Sequence, residues 1–125
     1  MKKKRVLIVE DDQVQIKLWE KIVSNVNVKA ELVTTGKQAL EYLKNHDDIG
    51  LVLLDLVLPD ISGLDVLEGI KKINSKIPVA ILSATEDSKI ALKAGQLGAK
   101  DFFTKGSDPK DIMRLFELID SVISD

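Results

Sequence analysis

The chain is expected to fold as one α/β domain: a five-stranded parallel sheet with helices on both faces. Three observations lead there. Short apolar runs rich in β-branched residues alternate five times with stretches of helical periodicity, and such alternation builds βαβ units. Runs such as Leu51–Leu54 are apolar at every position, as strands covered on both sides must be. The length, 125 residues, fits a single domain and allows one sizeable core, with roughly two-thirds of the unfolded surface buried.

Arg5–Val9 reads as the first strand. Gln13–Val26 follows as a helix, with Leu18, Trp19, Ile22, Val23 and Val26 at helical spacing and Asp12 placed to cap it. Lys29–Val33 is the second strand. Thr35 can cap a helix over Gly36–Asn45, with Ala39, Leu40 and Leu43 on one face. Leu51–Leu54 is the third strand. Ser62 or Gly63 opens a helix to about Ile73, with Leu64, Leu67 and Ile70 inward. Ile77–Leu82 is the fourth strand, with Pro78 tolerable near its start. Asp87–Ala94 is a short helix stopped by Gly95, and Lys100–Thr104 is the fifth strand. Asp108-Pro109 is a cap and first-turn signal for a last helix to about Ile123. Right-handed crossovers limit the layouts. The strand order 2-1-3-4-5 is the expected one, although the pattern by itself does not derive it.

Composition closes off several functions. Eighteen Lys+Arg against 20 Asp+Glu give a formal charge of −2, unlike a nucleic-acid-binding domain, which is normally basic. Cysteine is absent, which excludes disulfides, thiol catalysis and zinc-thiolate sites. The single histidine, His46, cannot make a multi-histidine metal cage and reads as a solvated helix end. No apolar run approaches the ~20 residues of a membrane span. The basic start, Met1 to Arg5, is followed only by Val6-Leu7-Ile8-Val9 and then acids, too little apolar chain for an export signal. The expected setting is the cytoplasm.

The informative residues are those that end the strands. The first strand runs into Glu10-Asp11-Asp12, the third into Asp55, the fourth into Ser83 and the fifth into Lys105. In an open parallel sheet, ligands bind beyond the carboxyl ends of the strands. One rim would then gather several carboxylates, a hydroxyl and an ammonium. Clustered carboxylates repel unless a cation joins them. An all-oxygen set points to a hard ion, Mg²⁺ or Mn²⁺. A nearby lysine supplies a fixed point charge for phosphate. Gly36-Lys37-Gln38 lacks the rest of a P-loop, and no G-x-G-x-x-G is present. The phosphate carrier is then a side chain, and a carboxylate can form an aspartyl phosphate.

With these residues in place, Val6–Asp12, Leu53-Leu54-Asp55 with Leu58-Pro59 and Gly63, Ser83-Ala84, Gly98-Ala99 and Phe102–Lys105 resemble the receiver domains of two-component response regulators. The resemblance covers almost the whole chain, read as one domain over residues 1–125. The chemotaxis member of that family is a known example of the flavodoxin-like order 2-1-3-4-5, so the order expected here is not independent of the resemblance. The resemblance implies Asp55 as phosphoacceptor from a histidine kinase, a phosphotransfer protein or a small acyl phosphate. It implies Asp11 as a direct Mg²⁺ ligand, Glu10 as its partner through water, and the Val57 carbonyl as a further ligand. Ser83 matches the switch hydroxyl, Phe102 the switch aromatic and Lys105 the phosphate-binding lysine. Asp12 has no assigned role beyond capping. Trp19, Phe103 and Phe116 read as core.

Several departures stand out. The family's lysine is usually followed by proline in a cis peptide, and here Gly106 follows. Either the bond is trans and the loop differs, or it is cis at a cost of about 2.5–4 kcal/mol. Leu58 stands where methionine is common, and Gln15 occupies a usually apolar helix position. In DNA-binding members an acidic residue after Gly-Ala pairs across a dimer with an arginine on the last helix. Here Lys100 follows Gly98-Ala99 and Leu115 aligns with the arginine, so a monomer or weak dimer is expected. The output lies with a downstream protein or an effector domain beyond Asp125. A pseudo-receiver that docks proteins without being phosphorylated is the alternative. Aspartyl-phosphate phosphatases of the haloacid dehalogenase type need D-x-D after the first strand, which Asp11-Asp12-Gln13 does not supply. A toprim-like nuclease needs D-x-D later in the chain, and Asp55-Leu56-Val57 fails that too.

Overall fold

In the computed structural model, which describes residues 4–26, 28–84, 87–105 and 109–123, strand and helix alternate from end to end. The elements are β1 (Arg5–Val9), α1 (Gln13–Ser24), β2 (Ala30–Val33), α2 (Gly36–Asn45), β3 (Ile49–Asp55), α3 (Gly63–Ile73), β4 (Val79–Ser83), α4 (Ser88–Gln96), β5 (Asp101–Thr104) and α5 (Pro109–Ile123). All strand pairs are parallel, in the order β2-β1-β3-β4-β5. That is the expected doubly wound arrangement.

Successive side chains on a strand point to opposite faces, and this alternation sorts the core. Leu7, Val9, Val52, Leu54, Val79 and Ile81 pack under α2, α3 and α4 with Ala39, Leu67, Ile70 and Ala94. Val6, Ile8, Leu51, Leu53, Ala80, Leu82 and Phe103 pack under α1 and α5 with Trp19, Ile22, Leu115 and Ile119. The central strands β1, β3 and β4 are buried almost throughout, whereas edge strand β2 is half exposed.

The helix starts follow their sequence signals. Asp12, Thr35 and Ser62 each accept a backbone N–H of the first turn, and Asp87, expected as the first helical residue, is likewise the cap, filling orphan donors that a bare helix end leaves. Several boundaries differ from expectation. The helix expected to reach Val26 ends at Ser24, because Asn25 and Val26 donate only three residues back, to Ile22 and Val23. The third strand is longer than Leu51–Leu54 and includes Asp55 itself. The fourth begins at Val79: Ile77 N–H bonds back to Asn74, and Pro78 contributes its carbonyl to Val52. Gly95 does not stop α4. The helix continues to Gln96, is capped by Leu97, and the chain turns away at Gly98, the positive-φ glycine (φ 101°). There Gly98 N–H bonds Gly95 O and Ala99 N–H bonds Ala94 O, the two bonds of a Schellman motif. The expected cap at Asp108 and the Lys105–Gly106 bond lie outside the described residues.

At the opposite end of the sheet, Arg5 pairs with Asp48 at 2.6 Å and with Glu31 at 3.2 Å, and its guanidinium lies 5.6 Å from the Tyr42 ring centre. This ties β1, β2 and the start of β3 together, away from the functional rim.

Candidate functional site

Strand alternation decides which side chains meet. Glu10 continues the series of Val6 and Ile8, Asp55 that of Leu51 and Leu53, and Lys105 that of Phe103. All three series belong to the α1/α5 face. Three strand ends therefore deliver their polar groups to one spot. Lys105 Nζ lies 2.8 Å from Glu10 Oε1 and 3.0 Å from Asp55 Oδ2. Glu10 is fully buried and Asp55 is only 4% exposed. Asp11 is exposed beside them, and carboxylate oxygens of Glu10, Asp11 and Asp55 lie within 4.8 Å of one another.

Neighbouring backbone holds this cluster in place. Leu56 N–H bonds Leu82 O, and Lys105 N–H bonds Ser83 O, so the sheet ladder runs on to the rim. Val57 N–H donates to Asp55 Oδ1 at 3.3 Å, while the Val57 side chain stands in solvent. Asp12 N–H and the Trp19 indole N–H reach Glu10 Oε2 and Oε1, each at 3.4 Å.

Burial dominates the electrostatics of Glu10. It pushes the carboxyl up to about 7; the hydrogen bond with Asp55 adds to this and Lys105 opposes it. Desolvation works against the Lys105 ammonium, but its bonds to Glu10 and Asp55 outweigh that and hold it above its ordinary value. Three carboxylates face one ammonium at this rim, so charge is left over for a cation. The donor set is entirely oxygen, which suits a hard divalent ion.

Above the cluster opens a cleft of about 480 Å³, lined by Asp11, Asp12, Asp55, Ser83 and Lys105 and walled by Leu56, Leu64 and Ile90. Ser83 is buried at the end of β4 and borders this cleft. Phe102 does not enter it. Phe102 is half buried against the α2–α4 face, one residue before Phe103, which fills the α1/α5 core. Trp19, expected as core, is core and also a donor to Glu10. Asp60 was not anticipated: its carboxylate accepts Gly36 N–H at 2.8 Å and Lys37 N–H at 2.9 Å, pinning the loop after β3 to the start of α2. These backbone bonds hold Asp60 below the usual carboxylate range.

A sheet of this order with acids and a lysine at its carboxyl rim defines a class of protein, and comparison with known proteins agrees. A family model described as the response regulator receiver domain matches residues 6–117. The chain belongs to that family. It is 35% identical over 116 residues to the chemotaxis protein CheV1 of Helicobacter pylori, a match spanning 88% of this chain and 36% of that protein. It is 35% identical over 116 residues to the Regulator of RpoS of Escherichia coli, spanning 93% of this chain and 34% of that protein. The chain thus spans about a third of the length of these relatives. Among solved structures it is similar to the phosphorylated cyanobacterial phytochrome response regulator RcpA, with TM-score 0.84 and 26% identity, covering 98% of this chain and 96% of that one. It is also similar to the Mn²⁺-bound response regulator Rcp1, with TM-score 0.78 and 26% identity over the same shares.

Proposed function

We propose that this chain, read as one receiver domain over residues 1–125, takes a phosphoryl group on Asp55. A carboxylate oxygen of Asp55 attacks phosphorus, the new O–P bond forms as the donor's P–N or acyl P–O bond breaks, and the donor leaves with that bonding pair. Phosphoryl transfer depends mostly on positioning and charge neutralisation. Lys105 meets the developing charge from 3.0 Å away, and Ser83, at the cleft edge, hydrogen-bonds the phosphoryl oxygens. Glu10, Asp11, Asp55 and the Val57 carbonyl would hold Mg²⁺, with Mn²⁺ as a substitute; the Mn²⁺-bound relative supports this. The ion would screen the carboxylates and the transferring oxygens. Phe102 turns inward when Ser83 engages the phosphoryl group, carrying the signal toward α4 and β5.

The donor is a histidine kinase or phosphotransfer protein in the cytoplasm, and the output is a downstream protein or an attached effector rather than nucleic acid or a membrane. No helix among the described residues is long and apolar enough to cross a membrane. The chain catalyses only its own phosphorylation and dephosphorylation. One observation carries the reading: buried Asp55 sits against Lys105 at the floor of an open cleft, beside two more acids.

Intact-mass measurement after treatment with acetyl phosphate tests it. The wild type gains one phosphoryl group only when Mg²⁺ is present, and Asp55→Asn gains none. Equal labelling of Asp55→Asn would overturn the assignment. No labelling of either protein would favour a docking module that keeps the fold.

A further inference from the structure

Glu10 is the deepest of the three acids, and the donors around it are unequal. Oε1 takes Lys105 Nζ at 2.8 Å and the Trp19 indole N–H at 3.4 Å. Oε2 takes the Asp12 N–H at 3.4 Å. A carboxylate has about four lone-pair sites, so Oε2 keeps capacity for another donor. Trp19 is 5% exposed, and its ring packs in the cluster that holds Phe103 and Leu115. Phe103 lies on β5, two residues before Lys105. The indole therefore hydrogen-bonds Glu10 directly and shares its apolar cluster with Phe103, on the strand that delivers Lys105. A phenylalanine would satisfy the apolar surroundings, and among the described residues Glu10 is the partner of the N–H.

We propose that Trp19 is a positioning residue for the acidic site: its indole N–H, together with Lys105, fixes Glu10 Oε1 so that Oε2 is the oxygen left for the divalent ion or its water. This rests on the reading of Glu10, Asp11 and Asp55 as the metal site of a phosphoacceptor. Groups that orient metal ligands commonly matter about 10–100-fold for affinity, and a bond of 3.4 Å belongs at the low end.

Trp19→Phe keeps most of the ring and removes the N–H. Mg²⁺ titration by calorimetry, which needs no tryptophan, should show affinity about tenfold weaker than wild type. Leu118→Ala, a variant in the same cluster that leaves the donors of Glu10 intact, should bind Mg²⁺ within about twofold of wild type despite its lower melting temperature. The chain has a single tryptophan, so its indole ¹⁵N–¹H resonance is one isolated signal, and Mg²⁺ should shift it in the wild type. That resonance also serves if Trp19→Phe folds poorly. An unmoved indole signal, unchanged affinity in Trp19→Phe, or equal losses in Leu118→Ala would each make Trp19 a core filler and overturn the proposal. A wild type that binds Mg²⁺ and labels at Asp55, beside a Trp19→Phe that does both normally, sinks the role of Trp19 alone. A wild type that does neither sinks the reading of the site, and this proposal with it.

Discussion

A buried carboxylate costs on the order of several kcal/mol unless its charge is met, and Glu10 is met only in part. Lys105 is shared with Asp55, so one ammonium serves two buried acids. Burial consequently raises Glu10 from its ordinary 4.5 to about 7. The sign for stability follows. Between those values the folded chain holds a proton that the unfolded chain has released, so stability falls as pH rises across the window. The contribution is complete below about 4.5 and lost as pH passes about 7. Its upper bound is about 3 kcal/mol, since Asp55 and Lys105 share the effect. Without divalent ions the melting temperature should decline from pH 5 to pH 7.5. Saturating Mg²⁺, which favours the ionised acid, should flatten the decline, and Glu10→Gln should remove most of it. Thermal melts across that range check this, and an unaltered slope in Glu10→Gln would assign the titration elsewhere.

Helix starts and stops set where the rim residues stand. At Gly63 an added Cβ would lie 2.5 Å from the Asp55 carbonyl oxygen and 2.5 Å from Leu56 Cα. Both are backbone atoms at the end of β3, and Gly63 N–H bonds Leu56 O at 2.9 Å. The start of α3 is thus pressed against the strand that presents Asp55. Gly63→Ala must push them apart, so it should cost about 1–3 kcal/mol as an overpacked site does and slow labelling of Asp55. In α4 the glycines behave oppositely. Gly95 has nothing within 4 Å of an added Cβ and lies inside the helix, so Gly95→Ala should stabilise by about 0.5–1 kcal/mol. Gly98→Ala should destabilise by about 1–2 kcal/mol, because its φ of 101° suits glycine. Chemical denaturation of both variants decides between them, and a destabilising Gly95→Ala would contradict the helix end assigned here. The sequence pattern points to Gly95 as the stop, and the structure moves it to Gly98. Each follows apolar helical residues, and only the bonds from Gly98 and Ala99 back into the helix distinguish the true stop.

Taken whole, the molecule was legible where local pattern and strand parity decide the outcome. Glu10, Asp55 and Lys105 each stand two residues beyond a strand residue of the α1/α5 face, Ile8, Leu53 and Phe103, which is enough to bring them to one face of one rim. Contacts between distant segments left no such trace. Asp60 meets Gly36 across 24 residues, and the indole of Trp19 meets Glu10 only once α1 has docked. The same distinction governs assembly. Leu115, aligned with the cross-dimer arginine of DNA-binding relatives, is 2% exposed and belongs to the core. Arg114, one position away, is engaged within its own chain: 2.6 Å from Asp101, 3.1 Å from Asp111 and 4.6 Å from the centre of the Phe103 ring. Pairs this exposed contribute little energy, about 0.2–1 kcal/mol, but charge placement sets which surfaces match. Here the guanidinium is turned onto β5, and exposed Lys100 offers no acid to a second copy. Among the described residues, Lys100, Leu115 and Arg114 therefore do not supply the cross-dimer ion pair of that arrangement. Sedimentation should find a monomer, or at most a weak dimer, both alone and with Mg²⁺ and beryllofluoride, a phosphoryl mimic. Activation should alter partner binding at the α4–β5–α5 face more than self-association. A tight symmetric dimer through Lys100 and α5 on activation would overturn this, and would make a DNA-binding effector the natural output.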